Sequence, residues 1–123
     1  MLDLREMSYY LDRFDYSRHN EEVHRVWEAY NAGRPERVPV MLGVNPRAYL
    51  LSELNTTGIS FEDYCENPDI LAQVQMRTQH YIRHHLMQDA QMGPPSDGWR
   101  LAVDYQNCYE AGWFGCKMEY RHG

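Results

Sequence analysis

The stretch Arg37-Val38-Pro39-Val40-Met41-Leu42-Gly43-Val44-Asn45-Pro46-Arg47-Ala48-Tyr49-Leu50-Leu51 (RVPVMLGVNPRAYLL) decides how the rest of the 123-residue chain is read. Its first eight residues, Arg37 to Val44, are apolar at nearly every position and rich in valine, the pattern of a strand covered on both faces, as parallel strands are. Pro39 has no N–H, so such a strand must tolerate one missing ladder donor. Asn45 then offers a side-chain acceptor at an N-cap, and Pro46 suits the first helical position, where no N–H is needed. A helix is expected from Pro46 to about Asn55, ahead of Gly58. At such a junction the free N–H groups and the positive end of the helix dipole meet at the carboxyl edge of a sheet, and Arg47 adds a permanently charged, planar donor fork. The stretch reads as an anion site, with an Arg47–Glu53 surface pair as the alternative.

Working outward, residues 1–19 show no clean period and are read as an amino-terminal arm. Asn20 is a fitting N-cap, Glu21 and Glu22 suit the positive end of a dipole, and Val23, Val26, Trp27 and Tyr30 recur at helical spacing until Gly33 and Pro35 stop the helix. Downstream, Ser60 with Asp63 resembles a capping box for a short helix ending at Asn67. Asn67-Pro68 repeats the cap-plus-proline signal and opens the longest element, Pro68 to about Asp89, with Leu71, Val74, Thr78, Tyr81, Ile82 and His85 on one face. Gly93-Pro94-Pro95-Ser96-Asp97-Gly98 is a loop. Trp99 to Asn107 then reads as a second strand that turns polar at Asp104, Gln106 and Asn107. Phe114, Cys116, Met118 and Tyr120 alternate with charged residues as a third. Helix, strand, helix, helix, long helix, strand, strand is the opening of an α/β fold whose other strands are missing, and the chain stops on turn-like residues soon after an alternating stretch. A fragment of a longer protein is therefore expected.

Composition narrows the function classes. Twelve Lys and Arg against eighteen Asp and Glu give a formal charge of -6, and no basic run could track a phosphate backbone, so nucleic acid is not expected as a partner. The acidic amino end has no apolar core of secretory length and no segment is long enough to span a bilayer, so a cytoplasmic protein is expected. Cys65, Cys108 and Cys116 are odd in number and contain no Cys-x-x-Cys pair, which suits buried reduced thiols.

Three groups could carry chemistry. His80 and His84 lie four apart and could face one metal ion, but the glutamate of a zinc-protease helix is absent and Arg83 lies between them, so a solvated helix surface is expected. His85 lies on the apolar stripe and reads as a hydrogen-bonded core histidine. Asp104 follows the apolar Leu101-Ala102-Val103 and stands where a barrel strand would present an acid, a base or a cation-stabilising carboxylate; a surface aspartate opening a loop is the alternative.

Pro39 to Leu51 (PVMLGVNPRAYLL), Ile59 to Arg77 (ISFEDYCENPDILAQVQMR) and Val103 to Cys116 (VDYQNCYEAGWFGC) together resemble the amino-terminal portion of the uroporphyrinogen decarboxylase-like superfamily. The resemblance implies a (β/α)8 TIM barrel, which needs about 250 residues, so residues 20–123 would be an incomplete barrel domain. It implies decarboxylation of an acidic tetrapyrrole or related carboxylate-bearing substrate, without metal or organic cofactor. Asn45, Arg47 and Tyr49 would bind substrate, with Asp104 as the catalytic aspartate. The motif's earlier second arginine is absent, since Leu42 or Gly43 stands there. The superfamily's other branch implies corrinoid-dependent methyl transfer through zinc. A stand-alone non-catalytic module is the remaining reading, and exposed barrel edges would favour self-association.

Overall fold

Among the described residues, helices alone organise the regular structure. The structure, a computed structural model, describes residues 15–101 and 107–121. Its helices are α1 (Tyr16–Asn31), α2 (Pro46–Leu50), α3 (Phe61–Glu66), α4 (Pro68–His85) and α5 (Asn107–Trp113). No strand forms among the described residues, so the expected α/β architecture and TIM-barrel fragment are overturned. None of these helices is long and apolar enough to cross a membrane.

The first and third expected strands are missing for local reasons. A strand is stable only when a neighbour takes up its main-chain groups. The run 37–44 instead gives its groups to the Gln88-Asp89 pair: the Val40 N–H donates to Asp89 Oδ2 at 2.7 Å, the Asp89 N–H donates to the Val40 carbonyl at 2.7 Å, and the Leu42 N–H donates to Gln88 Oε1 at 3.0 Å. Of the expected second strand, residues 102–106 lie outside the described residues, and Asn107, expected at its polar end, begins α5. The expected third strand is irregular, with Phe114 87% exposed, so its alternation has nothing to pack against.

The described residues fall into two compact units, 15–44 with 77–99 and 45–76 with 100–101 and 107–121. In the first, α1 begins four residues before the expected cap, because the Asp15 side chain accepts the Arg18 N–H at 3.0 Å. Asn20, expected as the cap, sits inside the helix and uses its amide as a substitute peptide group. Its Nδ2 donates to the Met92 carbonyl at 3.0 Å and its Oδ1 accepts the Met92 N–H at 2.8 Å. Helix α4 stops at His85, short of Asp89. There Arg83 closes a reciprocal pair with Gly93, Arg83 Nε donating to the Gly93 carbonyl at 2.6 Å and the Gly93 N–H to the Arg83 carbonyl at 2.8 Å. Gly93 has φ +76, and a Cβ there would lie 2.9 Å from Cγ of Tyr16, so both backbone and space require glycine.

In the second unit, Tyr49, Leu50, Tyr64 and Val74 form the buried core, with Ile59, Phe61 and Leu71 packed on it. Helix α2 starts at Pro46 with Asn45 as its cap, as expected, yet ends at Leu50 rather than near Asn55. Side chains end it. Ser52 Oγ donates to the Tyr49 carbonyl at 2.8 Å, and Asn55 Nδ2 donates to the carbonyls of Leu50 at 3.0 Å and Ile59 at 2.8 Å. These bonds offer the chain an alternative to another helical turn. The Ser60–Asp63 capping box forms as expected and opens α3. Since Leu50 is 7% exposed within the core, Leu50→Ala should destabilise this unit by about 2–5 kcal/mol. A urea midpoint followed by far-ultraviolet circular dichroism measures the loss, and an unchanged midpoint would remove Leu50 from the core.

Candidate functional site

The residues expected to bind substrate are adjacent in sequence and divided by burial. Asn45 Oδ1 accepts the Arg47 N–H at 2.9 Å, which closes the first turn of α2 and leaves the Arg47 side chain on the exposed surface. Tyr49, two residues on, is 2% exposed and packs in the core with Leu50, Tyr64 and Val74, so it is no surface contact for a ligand. Asp104, the expected catalytic aspartate, lies outside the described residues. Asn45 and Arg47 are thus brought together, with Tyr49 beneath them as support for α2.

The most elaborate polar geometry lies elsewhere, in the first unit, around Asp89. Arg37 presents both ends of its fork to this carboxylate, Nη1 to Oδ2 at 2.5 Å and Nη2 to Oδ1 at 2.6 Å. Trp27 Nε1 donates to the Asp89 carbonyl at 2.7 Å. His19 Nε2 lies 3.2 Å from the Ala90 carbonyl, a contact that needs the proton on Nε2. The Arg37 hydrogen bond, first, and then the Val40 N–H, the Arg37 charge and His19 outweigh burial and hold the Asp89 carboxyl at about 2.

Beside this carboxylate is a cleft of about 600 Å³ whose charged lining is Arg18 and Arg37 against Asp15, Glu22 and Asp89. Two guanidiniums facing three carboxylates leave no excess of positive charge, and Arg37 is already engaged, so the cleft is not built for an anion. It could admit a neutral or weakly cationic group. At the start of α2 the Arg47 and Ala48 N–H groups are taken by Asn45, so what that start presents at the surface is the Arg47 side chain.

His80 and His84 are not a solvated helix surface. His80 and His84 stack face to face at 4.0 Å between ring centroids and are partly buried, with the Trp99 ring 5.7 Å from the first and 6.2 Å from the second. His84 Nδ1 lies 2.8 Å from the His80 carbonyl and donates to it, which takes that nitrogen away from any metal. Among the described residues no three His, Cys, Asp or Glu side chains are arranged to hold a metal ion. His85 also stacks, on Tyr81 at 5.0 Å.

Sequence reasoning passed over Asp89 and Arg37. The signal was weak: fifty-two positions separate them, and each reads locally as a surface charge beside a helix end. The only local hint was Asp89 lying past the last residue of the apolar stripe, where an acid opposes the negative end of a helix dipole and so needs another reason to be there.

Because the fold lowers the Asp89 pKa from 3.8 to about 2, its stabilisation is complete above about pH 4 and is lost as the pH falls through 2. Asp89→Asn should remove that acid-dependent part, giving a urea midpoint that is lower than the parent's at pH 6 and less sensitive to pH between 4 and 2. Parallel pH profiles for parent and variant would show that the carboxylate is not held as described. No family model matches the chain, and neither does any curated protein or solved structure.

Proposed function

We propose that the chain serves the chemistry of uroporphyrinogen decarboxylase-like proteins at the level of substrate recognition, binding a carboxylate-bearing tetrapyrrole or a related anionic small molecule through Arg47. The observation that carries this reading is the start of α2. Asn45 ties down the Arg47 main chain, Pro46 fixes the turn, and the guanidinium stands on the exposed side while Tyr49 and Leu50 anchor the helix from below. A planar donor fork suits a carboxylate better than an ammonium does. The proposal extends to decarboxylation only through Asp104, as the resemblance implies, and it does not require a barrel.

The test uses uroporphyrin, a stable, oxidised member of the proposed ligand class, in a calorimetric titration. A charge-assisted hydrogen bond contributes about 1.5–3 kcal/mol, so Arg47→Ala should weaken binding roughly 10- to 150-fold while Arg47→Lys recovers part of it. Equal affinity in the alanine variant, or no binding by the parent at millimolar ligand, defeats the reading.

A second reading, a non-catalytic module that associates with its own copies, is favoured by a different observation. Val38 is 69% exposed, Val40 55%, Met41 61% and Met87 56%, an apolar surface within the first unit that water covers at a cost. On this reading a second copy of the chain covers it. Val40→Lys, which leaves the main-chain bonds to Asp89 in place, should then shift sedimentation toward the monomer at tens of micromolar protein. A parent that stays monomeric throughout that range removes the module reading and leaves the ligand-binding one untouched.

A further inference from the structure

At the carboxyl end of α4 the aromatic stack closes over a nitrogen with nowhere to put a proton. Nδ1 of His80 is buried and has no hydrogen-bond partner. One face of its ring lies against His84, 4.0 Å away with the planes 20° apart, and Trp99 leans on both imidazoles. Tyr16 of α1 meets His84 edge-on at 5.6 Å. The titratable groups that act on His80 are His84 and His85 of the same helix, while Arg83 of α4 and Asp97 of the following segment act on each other. The residue facing the stack from α1, Tyr16, is uncharged below neutral pH, and no carboxylate pairs with His80 among the described residues.

We propose that the His80–His84–Trp99 stack is an acid-released latch, in which protonation of His80 unstacks Trp99 from the imidazoles of α4. A charged imidazole would bury an N–H without an acceptor and place a cation against a second imidazole, and opening the stack relieves both. Trp99 could instead retain an imidazolium by cation–π attraction. Burial first, and then the neighbouring His84 and His85, weigh against this and hold the His80 pKa at about 4 instead of 6.5. The sign follows: the closed stack binds fewer protons, so it is fully favoured above about pH 6.5 and loses ground as the pH falls through 4. The Arg83–Gly93 pair contains no group that titrates in this window, so residues up to Gly93 stay tied while the Trp99 ring lets go.

Nuclear magnetic resonance of the full chain, titrated from pH 7.5 to 3.5, tests the latch. The expected result is loss of the Trp99-to-imidazole proton contacts with a midpoint between pH 4 and 6.5, in step with the His80 ring-proton shift, while the Gly93 amide stays protected from exchange. In His80→Gln, which cannot take up the proton, that midpoint should vanish. If the parent's contacts survive to pH 4, or tighten on acidification, or if the glutamine variant opens at the same pH as the parent, the latch is overturned. The ring-proton titration of the parent is decisive even where the variant fails to fold: a His80 midpoint at or above 6.5 removes the stored cost on which the latch depends.

Discussion

Asp89 does what a neighbouring strand would do. Its carboxylate takes the Arg37 fork and the Val40 N–H, its own N–H reaches the Val40 carbonyl, and its carbonyl takes the Trp27 indole. A main chain that is not in a helix or a sheet still has to place its donors and acceptors, and an apolar run such as 37–44 has no polar side chains of its own to offer beyond Arg37. One ionised residue answers that demand at Val40, and Gln88 answers it at the Leu42 N–H. The arrangement holds only while the carboxylate stays charged, since a buried neutral acid would give up one acceptor and the attraction of Arg37 together.

The same substitution of side chain for main chain recurs through the first unit. The Asn20 amide pairs with both polar groups of Met92 much as a neighbouring peptide would, and Arg83 does half of this for Gly93. Segment 86–99 therefore lies against α1 and α4 without regular structure of its own. Its position depends on a few long-range polar contacts and on Gly93, whose φ of +76 and closeness to Tyr16 leave no room for another residue. Such a segment is specified by particular residues, whereas a helix tolerates exchange over most of its surface.

What could be read from the sequence was local. The Asn45-Pro46 start, the Ser60–Asp63 box and the cap at Asn67 each depend on residues within three positions of one another, and each formed. The α1 start was misread because Asn20 had a distant use that outweighed capping, while Asp15 was the nearer cap. The strand expected at 37–44 was misread because valine-rich, apolar patterning reports only readiness to pair, and pairing is settled by what lies alongside. At the candidate site the sequence located Asn45 and Arg47 correctly on a helix start but could not show that Tyr49 points into the core. The Arg37–Asp89 pair and the histidine stack arise from contacts that no local window contains.

Asn67 stands between two helices with nothing else between them. Its N–H donates to the Asp63 carbonyl at the end of α3, while its Oδ1 accepts the N–H groups of Asp69 at 3.0 Å and Ile70 at 3.3 Å in the first turn of α4. One residue thus satisfies the end of one helix and the beginning of the next. Fraying at either helix end therefore disturbs the bonds that Asn67 makes to the other.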